Sequence, residues 1–227
     1  MLLVVPLILG GSYLAVDAVR FLAGGGSVSG GGTPHGTLTG FALGYRHLVG
    51  FVLKHATEPR NVLTAIKAEA RGRQLESQLF WSGEKHNGYD NGPDAYRHAF
   101  GSALIAYRLI VERGMAPEEA AAFMREMGVA HEDDSFLRGA HYTGSRTMDL
   151  HNNEAGMAVA LAQARDGAVR AQPPAEQEWI LSEAILTAIR GGAMVVLDAP
   201  DDRVRPSTAR DITHPIVEPT PRTAFER

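Results

Sequence analysis

Three dense polar clusters between Asn87 and Gly156 constrain this chain most, because they interrupt segments that otherwise read as Ala-rich amphipathic helix. The first is Asp90-Asn91-Gly92-Pro93-Asp94-Ala95-Tyr96-Arg97-His98-Ala99 and the second is His131-Glu132-Asp133-Asp134. The third is Met148-Asp149-Leu150-His151-Asn152-Asn153-Glu154-Ala155-Gly156. Around them, apolar residues recur at helical spacing. Phe41, Tyr45, Leu48, Val49 and Val52 follow Thr33-Pro34, and Val62, Ile66, Leu75, Leu79 and Phe80 follow Thr57-Glu58-Pro59. Few stretches alternate with period two, so the expected fold is mostly α, a compact helical domain. Carboxylates, imidazoles and an arginine gathered where apolar packing belongs point to a metal ion and the charged group it would activate.

The chain has 227 residues, 44% apolar and 21% charged, which suits one globular domain with appendages. Its net charge of −4 lacks the basic footprint of a nucleic-acid binder, so there is no strong nucleic-acid signal. The absence of cysteine excludes disulfides, thiolate metal sites and a cysteine nucleophile, and fits an exported protein. Residues 1–23 form an apolar N-terminal segment, membrane-associated or export-related, whose run from Leu2 to Val16 is shorter than the roughly 20 residues of a spanning helix. No Lys or Arg precedes that run, as a secretory signal would require, so a signal, a membrane anchor and a buried helix all stay open. Residues 24–32 are a Gly/Ser linker. The helical domain is expected over 33–198, with its motif core at 80–198, and 199–227 reads as an extended or disordered tail.

On a helix from about Asp94 to Arg113, Tyr96, Phe100, Ala103 and Tyr107 form a core stripe. Asp94 and His98 fall on the other face at i and i+4, where their side chains can converge on one point. Gly101 and Ser102 beyond them let another segment approach closely, and Arg97 lies within reach of the same anion. A second helix opens at Ala116-Pro117-Glu118-Glu119 and ends in His131-Glu132-Asp133-Asp134, where three carboxylates oppose the helix dipole. A compensating cation is therefore expected, either a metal or an arginine such as Arg97 or Arg138. In the third cluster Asp149 reads as an N-cap, and Asp149, Asn152, Asn153 and Gly156 make one polar face. Asparagine is a poor helix-interior residue, and capping does not explain two in succession.

These motifs, Asn-Gly-Pro-Asp-Ala-Tyr-Arg-His-Ala, Ala-His-Glu and Met-Asp-Leu-His-Asn-Asn-Glu-Ala-Gly, resemble a family of uncharacterised domains at the C-termini of bacterial polymorphic toxins and secretion-system effectors. The resemblance runs from Phe80 to Asp198, about half the chain, and includes the closing segment Ala188 to Leu197. The chain departs from the family pattern at Gly101-Ser102, where a Trp-Ser-like pair is expected. The resemblance implies a toxin-like hydrolase more firmly than it implies a substrate. A looser likeness is to the colicin M-type lipid II hydrolases. Their compact motif is echoed in a different order by Asp90, Asp94, Tyr96, Arg97 and His98, which makes Asp90 and Tyr96 candidate substrate contacts.

The leading expectation is an antibacterial effector-like, metal-dependent hydrolase of a phosphoester or pyrophosphate, such as a lipid-linked cell-envelope precursor or a phospholipid. Asp94, His98, His131 and Asp149 are the expected ligands of a divalent ion, Zn or Mn by the mixed donor set, Mg or Ca by an all-oxygen subset. His151 or Glu132 would take a proton from water, Arg97 would hold the anion, and Asn152 and Asn153 would orient ligands or substrate. Secretion or delivery to the periplasm or membrane, a secretion-system carrier and an immunity protein are the implied setting and partners. The alternative is a non-enzymatic membrane-associated or binding module, with Arg97 pairing Asp149 or Glu132 in a structural polar network. A third reading, a metallopeptidase or nuclease toxin, is weakened because Ser135 stands where H-E-x-x-H needs its second histidine.

Overall fold

The computed structural model describes residues 45–80, 91–137, 143–198 and 203–212. The apolar segment 1–23, the linker 24–32, Asp90 and Arg138 lie outside the described residues. Described residues form seven α-helices and one two-stranded sheet, which is the mostly helical fold expected. The helices are α1 (Arg46–Lys54), α2 (Pro59–Phe80), α3 (Gly92–Val111), α4 (Pro117–Leu137), α5 (Thr143–Arg165), α6 (Gly167–Arg170) and α7 (Pro174–Arg190). Strands β1 (Val195–Asp198) and β2 (Arg203–Pro206) pair antiparallel, and a 3₁₀ turn, Ala209–Ile212, follows. No helix among the described residues is long and apolar enough to cross a membrane.

Helix α3 is the axis of the fold and packs against α2, α4, α5 and α7. Asn91 caps it by accepting a hydrogen bond from the Asp94 backbone N–H at 3.1 Å, and Pro93 sits in the first turn where no N–H is needed. Asp94 is therefore a buried first-turn carboxylate, a position the helix dipole favours. Small residues let the neighbouring helices come close. A Cβ on Gly72 would sit 3.3 Å from Gly101 Cα, and one on Gly156 would fall 2.0 Å from the Ala99 carbonyl oxygen. On the apolar side Tyr96 stacks on Phe100 with ring centroids 5.2 Å apart, and its hydroxyl pairs with Ser182 of α7 at 2.7 Å. Glu178 of α7 braces the bundle by accepting from Arg71 of α2 and Arg108 of α3.

Helix α5 starts six residues before the expected N-cap, so Asp149 lies in its second turn and is not the N-cap of this helix. Thr143-Gly144 resembles a turn, but the burial of Ser145 and Met148 overrides the poor helix propensity of Gly144. The argument for an anion at that helix end lapses with it. The acidic end of α4 is compensated residue by residue. Asp133 accepts from Arg146 at 2.8 Å. Asp134 accepts from the first-turn N–H groups of His47 and Leu48, at 3.0 and 2.9 Å, and so caps α1.

Part of the expected tail is built into the fold. Arg203–Pro206 pairs with β1, and Arg205 reaches Asp198 across the ribbon and both oxygens of Asp211. Asn152 locks β1 onto α5, donating to the Val195 carbonyl and accepting from its N–H, each at 2.9 Å.

Candidate metal centre

Asp94 and His98 project from the first two turns of α3, and Asp149 meets them from α5. One donor atom from each lies within 4.8 Å of the other two, the group among the described residues that could hold a metal ion. His98 Nε2 is 3.3 Å from Asp149 Oδ1 and 3.6 Å from Asp94 Oδ1, and both aspartates are fully buried. Tetrahedral metal–ligand bonds of about 2.0 to 2.2 Å put neighbouring ligands roughly 3.3 to 3.6 Å apart, which the two separations from His98 match. An imidazole with two carboxylates suits a borderline ion such as zinc or manganese. The gap between α3 and α5 makes this meeting possible. Gly156 lies two turns beyond Asp149 and abuts Ala99, the residue after His98.

The rest of the centre is strongly charged. Arg97 pairs with Asp94 on its own helix and reaches Glu76 of α2 at 3.7 Å. The charges of Asp149 and Glu132, the partners the network reading expected, also interact with the Arg97 guanidinium. Burial works against the Arg97 charge, but Asp94, Glu76, Asp149 and Glu69 outweigh it and hold the guanidinium cationic. Glu132 is fully buried; desolvation first, then the nearby Asp149 and Asp94 charges, push its carboxyl up to about 9. It therefore holds a proton at neutral pH. Burial, with Asp94 and Glu69 adding and Arg97 and Arg73 opposing, raises Glu76 to about 7.

A raised carboxyl pKa means that the folded state binds more protons than the unfolded chain between the two values. Glu76 should therefore cost stability as pH rises from about 4.5 to about 7, and the cost should be constant above that. In urea titrations, Glu76→Gln is expected to gain on wild type across that window and to keep a fixed advantage at higher pH. An unchanging difference from pH 4.5 upward would contradict this placement of Glu76.

A small cavity of about 30 Å³ adjoins His98. Its polar lining is Glu69, Arg73, Arg97, His98, Ser102, His131 and Asn153, and its apolar lining includes Leu48, Met124 and Met127. His131 was an expected ligand. It stands beside the trio, its ring 6.5 Å from that of His98 and its Nε2 3.9 Å from Glu132 Oε1. Asn153 accepts from Ser102 at 2.7 Å and faces the cavity. Three other expected residues lie elsewhere. Asn152 is spent on β1, and Tyr96 is fully buried with its hydroxyl on Ser182. His151 is exposed and bonds the Ala193 carbonyl, because two helical residues after Asp149 is nearly the opposite face.

The sequence reading missed the contribution of α2. Glu69, Arg73 and Glu76 are spaced i, i+4 and i+7 on one face, a pattern that also describes an ordinary solvated charge stripe. Burial pushes the Glu69 carboxyl up, but Arg73, His131, His98 and Arg97 together hold it below its ordinary value.

No curated protein and no solved structure matches the chain. One family does match, described as a domain of unknown function, over more than half of the chain. The matched region takes in Asp94, His98 and Asp149 together with the α2 residues that face them. On that match the chain belongs to the DUF6973 family, whose domain spans residues 52–190.

Proposed function

We propose that this protein is a divalent-metal-dependent hydrolase of a phosphoester or pyrophosphate. The observation that carries the reading is the convergence of Asp94, His98 and Asp149 within 4.8 Å at a buried point beside arginine. A bound divalent ion would polarise a substrate oxygen and lower the pKa of a bound water. Arg97, held by Asp94 and Glu76, lines the cavity wall, where its positive charge would attract an anion. Glu132 holds a proton beside Asp149 in the metal-free protein, and a bound cation would draw that carboxyl down toward the base role expected from the sequence. His131, Ser102 and Asn153 line the space beside His98 and can orient water or substrate oxygen. A lipid-linked envelope precursor or phospholipid as substrate, and a role as a delivered antibacterial effector, follow from the motif resemblance. On the same basis the implied partners are an immunity protein and a secretion-system carrier.

One observation favours the structural network instead. Arg97 N–H faces His98 Nε2 at 3.3 Å, while two aspartate oxygens approach the same nitrogen. If Nε2 carries a proton, it bridges both aspartates with no need of metal. If it accepts from Arg97, its lone pair faces two carboxylate oxygens, an arrangement that a cation satisfies.

Metal content of the purified protein, by mass spectrometry after incubation with zinc, manganese, magnesium or calcium, separates the two. The hydrolase reading expects about one ion per chain in wild type and little in His98→Ala or Asp149→Ala. Metal-free wild type under all four conditions would leave the network as the better account.

A further inference from the structure

The cavity beside the metal donors has an excess of groups that bind anions. Arg73, Arg97, His98, His131 and Asn153 border it and can donate hydrogen bonds, and Ser102 beside them donates to Asn153. The one carboxylate in the lining is Glu69, which takes a hydrogen bond from Arg73 Nε at 2.9 Å. Arg73, His131, His98 and Arg97 also set its ionisation, so it lies in the field of the same four groups. Its place is reserved sterically as well. A Cβ at position 101 would come within 3.1 Å of Glu69 Oε2, so glycine there leaves room for the carboxylate. A glutamate that only had to pair with Arg73 at i, i+4 could do so in solvent.

We infer that this cavity is the seat of a doubly charged tetrahedral oxyanion, a phosphate or phosphoryl group, and that Glu69 occupies it as a built-in competitor when no such anion is bound. The inference deepens the hydrolase reading and rests on it for the seat's purpose, because an anion there would lie against His98 and Arg97. The open space of about 30 Å³ has room for roughly two water molecules, and an oxyanion gains the full seat as the carboxylate withdraws. The Glu69 side chain is partly exposed and can swing outward. Met124 and Met127 on the apolar wall are flexible enough to adapt.

Competition and attraction have opposite signs, which a purely structural ion pair does not reproduce. Inorganic phosphate would be titrated into the full chain and into Glu69→Gln, Arg73→Gln and Arg73→Lys, with binding read by calorimetry at constant ionic strength against chloride. Thermal melts would confirm folding of each variant. The expected result is saturable phosphate binding, about tenfold tighter in Glu69→Gln and about tenfold weaker in Arg73→Gln, with Arg73→Lys between wild type and Arg73→Gln. No saturable binding in either wild type or Glu69→Gln overturns the inference, and so does a Glu69→Gln affinity no tighter than wild type. Should Arg73→Gln not fold, Arg73→Lys alone must bind more weakly.

A short-chain phosphatidate run in parallel separates the sources. Tighter binding than phosphate assigns the seat to a lipid headgroup, and equal binding assigns it to a soluble phosphoryl group. Metal content of the same samples keeps the two readings apart. Phosphate binding without metal retains the seat and removes the hydrolase, whereas metal without phosphate binding does the reverse.

Discussion

Gly156→Ala is expected to destabilise the protein by about 3 kcal/mol or more, although alanine is the better helix former by about 1 kcal/mol. The added methyl would fall 2.0 Å from the Ala99 carbonyl oxygen and under 3 Å from its carbonyl carbon and Cα. Backbone cannot rotate aside as a long side chain can, so α3 and α5 must separate. Separation would also pull Asp149 away from His98, so on the hydrolase reading proposed above metal capacity should fall together with stability. Gly50→Ala on the exposed face of α1 is the control, since a Cβ there meets nothing within 4 Å. That change should be neutral or stabilise by roughly 0.5–1 kcal/mol. Urea unfolding of the two variants checks both, and a Gly156→Ala protein as stable as wild type would show that the two helices do not meet as described.

Arg97→Met carries the second large effect, a loss of about 3–5 kcal/mol in the metal-free protein. The replacement fills much of the volume but removes the cation that pairs with Asp94 and reaches Glu76. Asp94 is fully buried, and a buried charge that loses its partner costs more than the pair ever contributed. The two functional readings part over rescue. If Asp94, His98 and Asp149 hold a divalent ion, adding it should recover much of the lost stability in Arg97→Met, because the ion supplies the missing positive charge. Thermal melts with and without each ion measure this. A network without a metal role predicts the same loss and no rescue.

The helical class and the bounds of α3 were readable to within two residues, because the Asn91 cap, Pro93 and the aromatic stripe of Tyr96, Phe100 and Tyr107 all act locally. So was the meeting of Asp94 with His98, which needs only the helical repeat. That Asp149 completes the group followed from composition, not from spacing, since nothing local says that α5 lies across α3. The start of α5 was misplaced because long-range burial of Ser145 and Met148, invisible along the chain, extends the helix past its weakest residue. Asn152 illustrates the same limit. Its poor helix propensity marked it as doing something specific, but that task is to hold β1 through two backbone hydrogen bonds. Glu69, Arg73 and Glu76 were missed because a buried charged face and a solvated one are written with the same letters. Only the partner helix, with Gly101 opposite Gly72, turns that face inward.

The C-terminal ribbon bears on where this protein can be cut. The family match stops at residue 190, yet Asp211 presses its carbonyl against Gly92, at the very start of the helix that carries Asp94 and His98. Arg205, gripped by Asp198 and Asp211, ties that turn to the strand that Asn152 anchors beside Asp149. Both walls of the donor site are thus stitched together by residues that the family match omits. A fragment trimmed to the matched region would keep every donor and lose the stitch that holds the two helices in register, so the boundary of kinship is not the boundary of the working unit.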